Sequence, residues 1–302
     1  MYLTILQQGL LYSLLALGVY ISFRILNIPD LTVEGSFVLG MTSAVMTSGK
    51  VPPLLCLLIA FLSGSLAGLF TGFLQVKVKI HPILAGILTG TGLYTVNMFI
   101  LQGIPNVTVF ENSTIFKNFS NLFSALSPRY SRTLLLIVFC IIAIILTAMF
   151  FKTRLGLAVR AVGDNEDMVK SSSINSGLVK CIALGLSNGL VGLAGGIVSQ
   201  FNSYADINYG AGMVVIGLAS VIIGEAFFGK RGVTIGLISS AIGCILYYFI
   251  VGIAYNLDIM PSYGIKLMSA LIVIIALSIP TIKETTKNYQ IKREARKNAN
   301  LK

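Results

Sequence analysis

Apolar residues run along this chain in long, nearly unbroken blocks, and polar residues gather in a few short stretches between them. A helix needs about 20 consecutive apolar residues to cross a bilayer. Windows of that kind stand near residues 3–23, 31–48, 53–75, 82–102, 133–151, 181–201, 209–228, 233–254 and 264–280, about nine in all. The second is among the shortest and carries Glu34 near its start, so it reads as broken or partly re-entrant. The count therefore lies between eight and ten. The pattern predicts an all-α, polytopic membrane domain over residues 1–280, followed by a polar tail at 281–302.

Two polar stretches are too long to be tight turns. In residues 151–180, Leu155, Val159 and Val162 fall near helical spacing before Gly163 breaks the pattern. Asp164 then stands where a cap for a second short helix belongs, with Asp167 at its third position. Two short helices lying across one membrane face make a docking surface. In residues 103–132, Phe116, Phe119 and Phe123 share one helical face, which suits the membrane interface better than a partner protein. His81 beside Pro82 marks a helix start. Within the spans, glycines recur four apart at Gly64, Gly68 and Gly72, at Gly86 and Gly90, at Gly185 and Gly189, and at Gly192 and Gly196. Such small-residue stripes let helix backbones approach closely in lipid.

Composition supports the membrane reading: 55% of the 302 residues are apolar, 11% are charged, and the mean hydropathy is +0.87. Soluble domains carry nearer about 25% charge. Met1 to Phe23 has no basic start and no small-residue cleavage site, so it reads as a retained first span. Lys and Arg favour the cytoplasmic side in short loops. With 151–180 inside, only Lys50, Lys117, Arg129, Arg132 and Lys266 of the 22 basic residues fall outside, and the amino terminus is outside as well. On that topology Ile28–Phe37 and Tyr204–Met213, each with Asp then Gly at the mouth of an apolar helix, enter from opposite sides. That is the arrangement of an inverted-topology repeat.

Candidate chemistry is sparse. Cys56, Cys140, Cys181 and Cys244 are scattered through apolar runs and His81 has no acidic neighbour, so neither a metal, a cofactor nor a disulfide is expected. There is no phosphate-binding G-x-x-x-x-G-K-[ST] loop, no G-x-S-x-G elbow and no H-E-x-x-H pair. An enzyme is disfavoured, and ATP, if it drives this chain, must be handled by another subunit. The basic tail suits anionic lipid heads and offers no readout surface for nucleic acid. Polar groups inside spans mark candidate solute contacts: Asn97, Asn188, Glu34 and Glu225. The bland alternatives are that Asn188 bonds a neighbouring helix and Glu225 faces Arg231.

The run Thr153-Arg154-Leu155-Gly156, then Arg160-Ala161, Asp164-Asn165-Glu166-Asp167 and Ile174-Asn175, followed by Leu193-Ala194-Gly195-Gly196, resembles the ATPase-coupling loop of bacterial ABC importer permeases of the branched-chain amino acid and ribose type. Ser173 stands where that family usually has glycine. The resemblance implies ATPase-coupling roles for Arg154, Gly156, Arg160, Gly163, Asp164, Asn165, Asp167, Ile174 and Asn175. It also implies a second permease subunit, identical or homologous, an ATP-binding cassette subunit on the central loop and an extracytoplasmic solute-binding protein or lipoprotein. The run Asn27–Phe37 is most similar to a subgroup associated with aromatic amino acid uptake, including tryptophan and tyrosine. The competing class is an ATP-independent secondary carrier or channel.

Overall fold

The computed structural model describes residues 2–109, 113–122, 127–229 and 232–256, with five isolated positions beyond them. The ninth candidate span at 264–280, the tail at 281–302, and Phe123, Lys230 and Arg231 lie essentially outside the described residues.

The chain is mostly helical. In order come α1 (Tyr2–Val19), extended by π-helical turns over Tyr20–Ile25, α2 (Val33–Thr47), α3 (Pro53–Val76), α4 (Pro82–Ile100), β1 (Asn106–Thr108), α5 (Ile115–Leu122), α6 (Pro128–Lys152), α7 (Arg154–Asp164), α8 (Glu166–Ser171), α9 (Ser176–Asn202), β2 (Tyr204–Asp206), a 3-10 turn (Ile207–Gly210), α10 (Met213–Phe228) and α11 (Val233–Asn256). Pro53, Pro82 and Pro128 each sit at a helix start, where the missing N–H costs nothing.

Seven helical stretches among the described residues are long and apolar enough to cross a bilayer. The expected count of about nine is not confirmed, and its ninth candidate, 264–280, lies outside the described residues. At 15 residues, α2 is about 22 Å long and falls short of the hydrocarbon layer. An antiparallel two-stranded ribbon, with Asn106 opposite Asp206 and Thr108 opposite Tyr204, is a small addition to the expected all-α fold. Segment bounds also shift: α6 begins at Pro128 and α9 at Ser176, so the polar linker between them is 153–175.

The glycine stripes of α3 and α9 face one another. A Cβ on Gly64 would meet the Asn188 carbonyl and Gly192, one on Gly68 the Leu184 carbonyl, and one on Gly72 Cys181. The packing of α2 on α9 is just as close, because Gly40 lies on the backbone of Gly192 and Gly195 on the Phe37 carbonyl. In the absence of a hydrophobic drive between helices in lipid, these backbone approaches hold the bundle. All four cysteines are free, and Cys56, Cys140 and Cys244 are buried among the helices.

Charge sorts to two ends. Arg24, Lys152 and Arg160 gather at one end, where Gly177 also meets Val76 just before Lys77. Arg129 lies at the other, its carbonyl bonded to Gln7. There α5 seats Phe116 edge-on against Phe201, with ring centroids 5.3 Å apart, and buries it. The aromatic face of α5 is therefore turned onto the protein, not into the membrane interface as expected.

Candidate functional site: a charged cap and a junction of broken helices

At the basic end, α7 and α8 form the two short helices expected of a docking surface. Thr153 caps α7 by accepting from the Gly156 N–H at 3.2 Å. Asn165, and not Asp164, caps α8, accepting from Met168 N–H at 3.0 Å; Asp164 is the last residue of α7. Asn175 caps α9 through Leu178 N–H at 3.0 Å. Each Asn offers a short carbonyl that reaches the open N–H groups of the first turn. Ser173 adopts φ 61°, so the left-handed turn that glycine would supply is kept by a serine.

These caps fix which side chains point out. Gly156, Val159 and Val162 are buried, whereas Arg154, Arg160, Asp164, Asn165, Asp167, Ile174 and Asn175 are exposed. Leu155, Leu157, Met168 and Leu178 are exposed as well, which gives the polar cap an apolar component. Lys180 donates to Glu166 at 2.5 Å, and Lys170 pairs with it at 3.2 Å. The Lys180 hydrogen bond, with Lys170 assisting against desolvation, holds the Glu166 carboxyl below its ordinary range. Gly163 is the seat of the cap: a Cβ there would collide with the Ile25 carbonyl, so α7 rests on the backbone where α1 ends. Arg160, Gly163 and Asp164 share a polar cavity of about 340 Å³ with Tyr20, Arg24 and Glu225. Glu225 is paired with Arg24 at 2.5 Å, which gives it a partner other than the expected Arg231.

From Ile25 the chain runs through a non-helical segment, 26–32, with Asn27 at φ 55°, into the bundle before α2 begins. Asp30 on this segment is fully buried at mid-length of α9. It accepts from Asn188 Nδ2 at 2.6 Å and from Thr32 N–H at 2.9 Å, and Thr32 in turn bonds Thr71 at 2.8 Å. Sequence reasoning placed Asp30 at the mouth of a span, as part of the candidate repeat, and Asn188 within one; that the two meet arises from long-range packing.

The second broken helix meets the first. After β2 the 3-10 turn lies on the start of α2, where Gly210 abuts the Glu34 carbonyl, and Glu34 Oε1 accepts from Gly212 N–H at 2.9 Å. The first-turn carboxylate of α2 thus caps the approach to α10, where helix dipoles favour negative charge. Around this junction Phe37 stacks on Tyr12 and Tyr209, whose hydroxyls are 3.0 Å apart. Beside it is a cavity of about 530 Å³ lined by α2, α4 and the 3-10 turn, including Glu34 and Asn97. Asn97 is nevertheless committed to structure, donating to the Gly35 carbonyl and accepting from Thr42, both at 3.3 Å. Of the four intramembrane candidates the structure brings Glu34 and Asn97 to one cavity, Asn188 to the Asp30 network and Glu225 to the charged end.

Comparison with known proteins assigns the chain to a family. Residues 1–278 match the family model described as branched-chain amino acid transport system / permease component. The chain is 35% identical over 292 residues to the tyrosine transport system permease protein of Clostridioides difficile, covering 96% of this chain and 95% of that one. It is 27% identical over 279 residues to a ribose import permease protein of Haemophilus influenzae, covering 91% and 83% of the two chains. No solved structure matches it. The chain therefore belongs to the family of branched-chain amino acid transport permease components, and it is the membrane subunit of an ABC importer for a small solute.

Proposed function

We propose that this chain is the translocation subunit of a bacterial importer of an aromatic or branched-chain amino acid, working as two copies in the cytoplasmic membrane. Residues 151–180 take an ATP-binding cassette subunit, and the opposite end, with the β1–β2 ribbon and α5, takes the extracytoplasmic solute-binding protein. The observation that carries the reading is the seat of Gly163 on the Ile25 carbonyl. It joins an exposed, capped, charged surface to the non-helical segment that leads through Asp30 to the α2–α10 junction. A push on α7 is delivered to that segment through backbone contact, with no flexible side chain between.

The tyrosine permease relative supports an amino acid as solute. Two broken stretches, one reached from each end of the bundle and meeting at Glu34 and Gly212, support an inverted repeat in which α2 and α10 are equivalent. The solute passes the cavity at Glu34, between the two copies.

Reversing two charges on the cap tests the coupling. Arg154→Glu with Arg160→Glu leaves membrane insertion and solute-receptor affinity unchanged, while uptake falls about a hundredfold, since like charges across a docking face cost several kcal/mol. Uptake at the wild-type rate by this double variant contradicts the docking role.

A further inference from the structure

The lining of the 530 Å³ cavity contains one carboxylate and no basic side chain. That imbalance is informative because the rest of the protein is strongly basic, with a formal net charge of +11. Both broken-helix N-termini are already served by the chain itself, Thr32 N–H by Asp30 and Gly212 N–H by Glu34. They are not free to receive a solute carboxylate. Glu34 spends one oxygen on Gly212, and the other has no partner among the described residues. Asn97 is held in place by the Gly35 carbonyl and the Thr42 hydroxyl, and Thr91 donates to its own helix. The groups left to meet a solute are the second Glu34 oxygen, the exposed ring of Tyr94 and the exposed amide of Asn208.

We propose that Glu34 is the specificity-determining residue of the pathway and receives the ammonium group of a zwitterionic amino acid, with Asn208 facing the carboxylate and Tyr94 the side chain. This rests on the importer reading above and assigns a solute class to its pathway. A charge-assisted N–H···O⁻ bond in a half-buried cavity favours an ammonium over a hydroxyl, and an aromatic face adds attraction for a cation or a ring. The volume lies within the range of small-molecule sites, about 300–1,000 Å³. A polyhydroxy solute such as ribose gains nothing from an unneutralised carboxylate, and a dicarboxylate is repelled.

The test uses the assembled importer in vesicles, with its ATP-binding and solute-binding subunits, and radiolabelled tyrosine, isoleucine and ribose as probes. Glu34→Gln keeps the acceptor for Gly212 N–H but removes the charge. It is expected to lower maximal amino acid uptake about tenfold or more with receptor affinity and ATP hydrolysis retained. Glu34→Asp, which keeps the charge, recovers part of that loss. Amino acid uptake by Glu34→Gln at the wild-type rate, or Gln outperforming Asp, overturns the assignment. Preferred uptake of ribose by the wild type overturns both this assignment and the amino acid reading it rests on, whereas amino acid uptake that is indifferent to Glu34→Gln overturns the assignment alone.

Discussion

The cap at 153–175 and the junction at Glu34 and Gly212 are built on opposite terms. In the cap, side chains face water, helices are held by three Asn or Thr caps, and ion pairs such as Lys180–Glu166 are partly exposed. In the junction, backbone lies on backbone, and Asp30 is fully buried, accepting from Asn188 and Thr32. Surface ion pairs contribute little, about 0–1 kcal/mol, whereas orphaning a buried donor costs about 1–3 kcal/mol. The cap is thus specialised for recognition and is cheap to alter, while the junction is specialised for position and is not.

Breaking the junction is expected to have the larger effect on stability. Asp30→Ala removes the acceptor of Thr32 N–H and the shorter of the two bonds made by Asn188 Nδ2, which keeps only the Leu184 carbonyl, and is predicted to cost about 2 kcal/mol. Thermal melting of the purified chain reads this as a clear fall in Tm, and an unchanged Tm removes Asp30 from the network.

The cap offers smaller changes. Ser173 holds a left-handed backbone that costs a non-glycine residue about 1 kcal/mol, so Ser173→Gly slows hydrogen exchange in the 172–178 turn without changing uptake. Smaller still is the Glu166 contribution. Its carboxyl is held below the ordinary value of about 4.3, so the stabilisation is present above that pH and is lost as pH falls through the lowered value. With the Glu166 side chain 34% exposed, solvent screening keeps this below about 1 kcal/mol. Hydrogen exchange in α8 should therefore rise on acidification only below the ordinary carboxylate range, and Lys180→Met should move that rise to higher pH.

The difference between the regions also governs what is legible from residue order. The cap can be read because its signals are local: charges between apolar runs, caps within three residues of the groups they serve, and a helix break at Gly163. Even so, the cap of α8 moves by one residue, from Asp164 to Asn165, because both side chains are suitable acceptors and only backbone geometry chooses between them. The glycine stripes of α3 and α9 are visible as stripes, but not that they face each other. Hydropathy places Glu34 in a short second span without showing that its carboxylate reaches Gly212, 178 positions away. The local signal at Asp30 places it at the mouth of a span, whereas the non-helical segment 26–32 carries it to the middle of α9. The junction depends on contacts between segments far apart in the chain, and no local pattern encodes them.

If the cap acts on the junction through the contact of Gly163 with the Ile25 carbonyl, separating those two backbones must uncouple them. A branched side chain at this position must lift α7 off that carbonyl. The decisive quantity is the ratio of ATP hydrolysed to solute imported by the assembled importer carrying Gly163→Val, compared with wild type at equal membrane insertion. Continued hydrolysis is expected with the ratio raised about tenfold or more, since even about 1.4 kcal/mol of lost coupling is a factor of ten. A ratio equal to wild type contradicts transmission through this contact.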